Sequence, residues 1–224
     1  MHGKITTGEG GIIEDYSPDN CPNIADGLIV WEDGSHPYYF DLNAETPEVV
    51  DIYEEAPSED YTVGSIGGSV RTDGRFLTWE ERRDSWNHDG DTETSTINAY
   101  VIVAYDTEAE ALLTVPAADW TQIRDTCYPR ISYGMVVFAA EEYGVENSDY
   151  DKEIFYCDVT AETLELVQLT NDPNDDLETT EIDEAAGLWD SKPQVTDGLV
   201  VWRTGGSGSY WDWRGKSVAA AFID

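Results

Sequence analysis

Basic residues are scarce in this sequence, in which 12 Lys and Arg stand against 47 Asp and Glu among 224 residues. The formal net charge of −35 predicts a surface that repels polyanions, since phosphate binding needs clustered basic side chains. We therefore expect no nucleic-acid partner and no attachment to an anionic membrane. Only four of the basic residues are Lys, a pattern typical of proteins from salt-loving organisms. We favour a halophilic origin; the alternative is an acidic secreted protein from an ordinary organism.

Long apolar runs and paired cysteines are also missing. No run approaches the roughly 20 residues that span a bilayer, and the N-terminus lacks the apolar core of a signal peptide. We expect no membrane insertion, and a cytoplasmic location unless an upstream export segment places the chain outside the cell or at its surface. Cys21, Cys127 and Cys157 cannot all pair within one chain, so we expect thiols without a redox role.

Aromatic residues, in contrast, are abundant, at 12% of the chain. Acidic disordered chains are poor in aromatics, so this composition predicts a folded protein. The length is compatible with one domain spanning residues 1–224.

Four segments of the chain resemble one another. Each has a short β-branched start, a turn that ends in Gly, and an apolar run closed by an aromatic residue; the segments are 22–31, 69–79, 129–138 and 193–202. The turn contains Asp-Gly in three segments and Tyr-Gly in the fourth, and Asp-Gly supplies the positive φ values of a tight turn, so each segment predicts a hairpin. The continuous apolar second strand predicts burial on both faces.

A second motif follows the hairpin in the first three repeats. It is an aromatic-rich strand that ends in Asp, at Asp41, Asp106 and Asp158, followed by a polar turn and a fourth strand. Four antiparallel strands that recur every 47 to 64 residues indicate an all-β chain built as a β-propeller of about four blades. The predicted blades are 22–52, 69–115, 129–170 and 193–224, and an N-terminal strand over 3–7 would complete the last blade and close the ring. Membership of a larger ring is the alternative.

The repeat resembles that of the WD40-like, Tol-type β-propellers, which are abundant in archaeal and bacterial cell-surface proteins. The segments that carry the resemblance are Ile5–Thr7, Tyr16–Pro18, Ile24–Trp31 and Tyr39–Leu42. The resemblance covers nearly the whole chain and implies the fold. It implies no single activity, because one fold hosts many functions. The chain departs from the pattern in the long loops of blades two and four, and in Phe138, which stands where the other blades carry Trp.

The variable connections between second and third strands, and those between blades, are expected to open on one face. Binding residues concentrate in loops on a rigid scaffold, so this face is the candidate binding surface. Aromatic rings beside Arg and carboxylates suit sugar or peptide ligands, although packing of the loops on the blades is the competing interpretation. The candidate residues are Arg82, Arg83, Trp86, His88, Trp120, Trp189, Trp211, Trp213 and Arg214.

Metal binding and catalysis have little support in the sequence. The segment around Asn87–Asp91 lacks the first and last ligands of an EF-hand, and two other oxygen-rich clusters at 147–153 and 172–176 are interpreted as solvated acids, with weak Ca²⁺ binding as the alternative. No Ser or Cys lies in a nucleophile-elbow motif, so no catalytic residue is predicted. We expect no cofactor.

These patterns favour a non-enzymatic binding or interaction module, most plausibly at the cell surface, with a protein or carbohydrate ligand. The alternative is a propeller enzyme that acts on a polysaccharide or a peptide.

Overall fold

A computed structural model describes residues 22–54, 61–87, 94–116, 121–122, 129–142, 152–170, 193–204 and 217–223. Every regular element in these ranges is a β-strand, which confirms the all-β prediction. Within the same ranges, no helix is long and apolar enough to cross a membrane. The strands form four antiparallel sheets.

The sheets follow one another along the chain. The first contains β1 (Asn23–Ala25), β2 (Leu28–Asp33), β3 (His36–Asp41) and β4 (Val49–Asp51). The second contains β5 (Tyr61–Thr72), β6 (Phe76–Asn87), β7 (Thr94–Asp106) and β8 (Ala111–Thr114). The third contains β9 (Thr121–Gln122), β10 (Arg130–Ser132), β11 (Met135–Glu142), β12 (Lys152–Asp158) and β13 (Val167–Gln168). The fourth contains β14 (Gln194–Thr196), β15 (Leu199–Thr204) and β16 (Ser217–Phe222).

Each sheet is an antiparallel meander in which sequential strands are neighbours. The third sheet carries one addition, because β9 pairs with the far end of β11 beside β10. The described part of the fourth sheet has three strands. The N-terminal strand predicted over residues 3–7 lies outside the described residues.

The predicted hairpin turns are confirmed. The turn between β1 and β2 has positive φ at both central residues, 44° at Asp26 and 86° at Gly27. The same pair of positive angles recurs at Tyr133 and Gly134 and at Asp197 and Gly198, whereas in the turn between β5 and β6 Gly74 has a positive φ, 106°, and Asp73 does not. Two positive φ values define the tight turn whose twist matches that of two antiparallel strands.

The Asp that ends the third strand has a local role in the first three sheets. The carboxylate of Asp41 accepts a hydrogen bond of 2.8 Å from the backbone N–H of Asn43. Asp106 accepts one of 3.0 Å from Glu108, and the N–H of Thr160 donates to Asp158 over 2.8 Å. Asp side chains that bond the backbone two residues on stabilise turns, so the repeated Asp fixes where each third strand ends.

The apolar core is divided among the spaces between consecutive sheets. Along β6, Leu77 and Trp79 pack with Leu28 and Val30 of the first sheet, whereas Phe76 packs with the third sheet. The side chains of β11 also alternate between the two faces of its sheet. Val136, Phe138 and Ala140 face the second sheet, and Val137 and Ala139 face the fourth. Successive strand residues point to opposite faces, so a continuous apolar strand is required where a sheet is covered on both sides. The predicted burial of these second strands on both faces is confirmed.

The first strands of neighbouring sheets lie against each other: β1 contacts β5, β5 contacts β10, and β10 contacts β14. Hydrogen bonds join them, since Thr72 N–H donates to Asn23 Oδ1 over 3.0 Å and Gly134 N–H donates to Asp73 Oδ2 over 2.7 Å. The first two hairpin turns are so close that a Cβ on Gly74 would lie 2.7 Å from the Cβ of Asp26. The four sheets are thus stacked in chain order, with their first strands together.

The second sheet differs from the prediction in two places. The long loop predicted for blade two, with Arg82, Arg83 and Trp86, is largely a strand: β6 continues to Asn87 and pairs with β7 almost throughout. The charged residues break the apolar pattern by which a strand is recognised, so the sequence does not indicate this part of β6. The β-branched residues around Thr94–Ile97 in β7 do favour a strand. The sheet also begins at Tyr61 rather than residue 69, because β5 contains bulges that obscure its alternation.

Candidate functional site

A cluster of charged and aromatic side chains lies between the first and second sheets. The cluster lies at the edge of the sheets that contains the turn from β2 to β3, the last residue of β4 and the end of β6. We call this edge the loop end. The opposite end, with the first hairpin turns, is the hairpin end. The backbone N–H of Ile66 in β5 donates to the carbonyl of Gly34 over 3.3 Å, which joins the two sheets at the loop end.

His36 and Asp51 form the outer part of the cluster. His36 opens β3 and Asp51 closes β4, so antiparallel pairing brings both to the same end of the first sheet. The Nδ1 atom of His36 lies 2.9 Å from Oδ2 of Asp51, and the backbone N–H of Tyr53 donates to Oδ1 of the same carboxylate over 2.9 Å. The His36 side chain is 42% exposed. Its ring lies 6.2 Å from that of Tyr38 and 6.4 Å from that of Tyr53, measured between centroids.

Glu81 forms the inner part of the cluster and is fully buried. Its Oε1 accepts a 2.5 Å hydrogen bond from Nε of Arg83, and its Oε2 accepts one of 3.1 Å from Nε1 of Trp79 and another from the hydroxyl of Tyr53. Arg83 reaches further, with Nη2 donating to Oγ1 of Thr114 over 3.1 Å. A buried charge is tolerated only when it is paired and hydrogen-bonded, and this carboxylate is both.

Tyr53 links the two parts. Its ring contacts His36 and lies edge-on to Trp79, with 6.0 Å between centroids, while its hydroxyl reaches Glu81. The cluster therefore runs without a break from an exposed imidazole to a buried carboxylate. It places the His36 imidazole, 42% exposed, and the Arg83 guanidinium, 18% exposed, at the loop end.

A second polar pair, Glu32 and Arg71, lies on the neighbouring strands β2 and β5. Burial raises the pKa of the Glu32 carboxyl to about 7, and the positive charge of Arg71 opposes that rise. The Oε2 atom of Glu32 and the Nε atom of Arg71 are both buried without a hydrogen-bond partner. One polar atom of each side chain is thus without a hydrogen bond, while the charge of Arg71 acts on the carboxyl of Glu32.

Tyr38 adds an aromatic surface beside His36. Its ring stacks on that of Trp31, with centroids 5.7 Å apart and planes inclined by 13°. Burial, and the nearby carboxylate of Asp51, raise the pKa of the Tyr38 hydroxyl. The phenol accordingly stays protonated at neutral pH and can donate a hydrogen bond.

The structure separates the predicted arginine pair and describes only part of the predicted site. Arg83 belongs to the cluster, whereas Arg82 precedes it on the strand and so points to the opposite face of the sheet. Trp86 lies on β6 opposite Ser95 rather than in a loop. The remaining predicted site residues lie outside the described residues: His88, Trp120, Trp189, Trp211, Trp213 and Arg214.

Most of the cluster is not predicted by the sequence. Glu81 could have been predicted as part of a site. It lies two residues after the buried Trp79 on the same strand, where a charged side chain needs an ion-pair or hydrogen-bond partner. His36 and Asp51 are 15 residues apart and become neighbours only when β3 and β4 pair. Their positions at the start and end of predicted strands were the available signal.

The described residues hold no group of three or more His, Cys, Asp or Glu side chains that could bind a metal ion. Of the oxygen-rich segments considered for weak Ca²⁺ binding, 172–176 lies outside the described residues, and so do all of 87–91 except residue 87 and all of 147–153 except residues 152–153. Cys157 is buried as a free thiol in β12, and burial together with the charge of Asp158 raises its pKa to about 11. Cys21 and Cys127 are not among the described residues.

Comparison with protein-family models gives no match for this chain, and comparison with curated proteins gives none either.

Proposed function

We propose that this chain is a β-propeller of the WD40-like, Tol-type kind that serves as a non-enzymatic binding module, with its ligand held at the loop end. The observation that carries the binding function is the His36–Asp51–Tyr53–Glu81–Arg83 cluster. A partly exposed imidazole and guanidinium are held there by the carboxylates of Asp51 and Glu81, and burying the charge of Glu81 costs stability that a binding site would justify.

The stacking of the sheets supports the propeller. Meanders packed face to face, with their first strands together, are the blades and axis of that architecture.

The two end sheets support a closed ring of four. Ile24 in the first sheet is 60% exposed and Phe222 in the fourth is 76% exposed, on the faces that point away from the neighbouring sheet. Packing these faces on each other would bury both side chains and remove two open apolar surfaces.

The contact between the first two sheets suggests a test of ring closure. Asn23 of β1 pairs with Val30 of β2, and its side-chain oxygen accepts a hydrogen bond from the backbone N–H of Thr72 in the second sheet. By strand register, Gln194 in the fourth sheet corresponds to Asn23, and Ile24 in the first sheet corresponds to Thr72. In a closed ring, Gln194 and Ile24 are therefore neighbours.

We expect Gln194→Cys combined with Ile24→Cys to form an intramolecular disulfide, detected by mass spectrometry of the linked peptides. Asn23→Cys with Thr72→Cys is the positive control. If the control pair links and the test pair does not, the four sheets do not close on themselves. A link between two chains would instead indicate that a second copy covers these faces.

Binding is tested on arrays of glycans and peptides in molar KCl. We expect a ligand for the unchanged protein, and a signal about two- to tenfold weaker for His36→Ala, since one hydrogen bond contributes about 0.5–1.5 kcal/mol. Arg75→Ala is the matched control, because Arg75 binds Asp106 at the hairpin end. Equal binding by all three proteins, or no binding to either array, would refute the proposed site.

The strongly acidic surface is consistent with a protein that works at high salt, and a cell-surface location fits a binding module of this kind. We propose both, with a protein or carbohydrate as the partner. A melting temperature that does not change between low and molar salt would contradict the halophilic part.

A further inference from the structure

Tyr133 has the most exposed large apolar side chain among the described residues, at 77%. It is the first central residue of the turn between β10 and β11, and its φ is +51°. Single exposed apolar residues are common on protein surfaces, but a bulky aromatic residue in the left-handed region is an outlier. Packing does not explain this conformation, and strained residues of this kind are concentrated at functional sites.

The other three repeats carry Asp at the position of Tyr133, namely Asp26, Asp73 and Asp197. Asp adopts a positive φ at lower cost than an aromatic residue, because its short polar side chain can bond the local backbone. Asp26 and Asp197 have φ values of +44° and +46°. The third repeat therefore has an exposed ring in place of a residue that suits the turn better.

Carboxylates lie on both sides of Tyr133 at the hairpin end. The turns form a row there, because β5 contacts β10 and β10 contacts β14. On one side, Oδ2 of Asp73 accepts a hydrogen bond of 2.7 Å from the backbone N–H of Gly134. On the other side, the next turn carries the exposed Asp197. Arg75, a cation at the same end, already pairs with two carboxylates, so the ring lies in a surface of negative charge.

We propose that Tyr133 anchors an arginine-bearing segment of a partner protein at the hairpin end, with the guanidinium stacked on the phenol ring. A guanidinium is attracted to the face of an aromatic ring and also hydrogen-bonds carboxylates, so it complements both features of this surface. The net charge of −35 attracts a basic segment and repels an acidic one or a second copy of the chain. This surface is separate from the site proposed at the loop end, so either can fail without the other.

The test is fluorescence anisotropy of a labelled peptide of four Gly-Arg repeats, titrated with the full chain in molar KCl. Charges are screened there beyond about 3 Å, so contact interactions dominate. We expect the peptide to bind, and its Kd to rise about two- to fivefold in Tyr133→Asn, which removes the ring. Tyr133→Phe keeps the ring and should bind as the unchanged protein does. A peptide of four Gly-Lys repeats should bind more weakly, because an ammonium group has no plane to stack.

Thermal unfolding separates the role in binding from a role in stability. Asn tolerates a positive φ, so Tyr133→Asn should melt at the same temperature as the unchanged protein or higher. A lower melting temperature would show that the ring stabilises the fold, and it would overturn the inference. An arginine peptide that does not bind, a Kd unchanged in Tyr133→Asn, or equal binding of the lysine peptide would do the same.

His36→Ala is the control at the loop end and should leave the Kd of the arginine peptide unchanged. If His36→Ala weakens the binding of this peptide and Tyr133→Asn does not, the peptide binds at the loop end. The site proposed there then stands, and only the hairpin-end surface fails.

Discussion

The buried pair of Glu81 and Arg83 allows a quantitative prediction about stability. Glu81 is 0% exposed and Arg83 is 18% exposed, and their 2.5 Å contact neutralises a carboxylate that water cannot reach. Arg83→Met leaves that charge with only the hydroxyl of Tyr53 and the indole N–H of Trp79 as known donors. Removing one partner of a buried ion pair costs about 3–5 kcal/mol, because the remaining charge stays buried without compensation.

The assay is thermal unfolding followed by circular dichroism in molar KCl. For a chain of this length, about 1 kcal/mol corresponds to about 2–4 °C, so Arg83→Met should lower the melting temperature by about 6–20 °C. Arg75→Met is the control: Arg75 is 48% exposed, and the carboxylate of Asp106 keeps the backbone N–H donors of Glu108 and Ala109 without it, so its loss should be smaller. The Arg75 effect should also shrink as salt rises, whereas the Arg83 effect should not.

Restoring neutrality should rescue the protein. In the double variant Arg83→Met, Glu81→Gln, the amide oxygen still accepts from Tyr53 and Trp79, and no buried charge remains. We expect it to recover about 2 kcal/mol or more relative to Arg83→Met alone. The reasoning would be refuted if Arg83→Met were no more destabilising than Arg75→Met, or if the added Glu81→Gln lowered stability further.

Three further predictions concern other parts of the fold. Gly134→Ala should destabilise the protein by about 2–4 kcal/mol in urea titration, since φ is +75° and the new Cβ would lie 2.3 Å from Cγ2 of Thr160. Gly34→Ala, where nothing lies within 4 Å, should cost only the conformational part, about 1–2 kcal/mol, and equal losses would contradict the contact. Because the pKa of Glu32 is raised to about 7, its contribution is complete below its unfolded value near 4.5 and is lost as pH rises through 7. Glu32→Gln should therefore gain stability relative to the unchanged protein between pH 5 and pH 8, and a constant difference in melting temperature would argue against it. Iodoacetamide should label Cys157 at pH 8 about 100-fold more slowly in the native protein than in urea, as measured by peptide mass spectrometry, and equal rates would contradict its burial.

The repeats made much of the fold predictable. Asp-Gly turns, apolar second strands and the Asp that ends each third strand are local signals, and the structure contains the corresponding turns and strands. The exceptions arose where local signals are weak. The charged stretch after Trp79 was predicted to be a loop, although it continues β6 because β7 supplies a matching edge.

The candidate site was much less predictable. Of the predicted residues, Arg83 lies in the described cluster, and it was chosen as one of a pair that strand alternation separates. His36, Asp51 and Glu81 come from three strands of two sheets, and their proximity depends on strand pairing and on the stacking of the sheets. No spacing in the sequence encodes such a contact.

The sequence by itself determined the acidic character, the repeats, the turns and the all-β class, because turn geometry and strand alternation depend on residues a few positions apart. Only the tertiary structure decided which charges are buried and which side chains meet. Glu81 is one of 47 acids in the sequence, and it is fully buried because the second sheet packs against the first. Burial depends on neighbours that are distant along the chain, so the same residue type is a solvated surface charge in one place and part of a site in another.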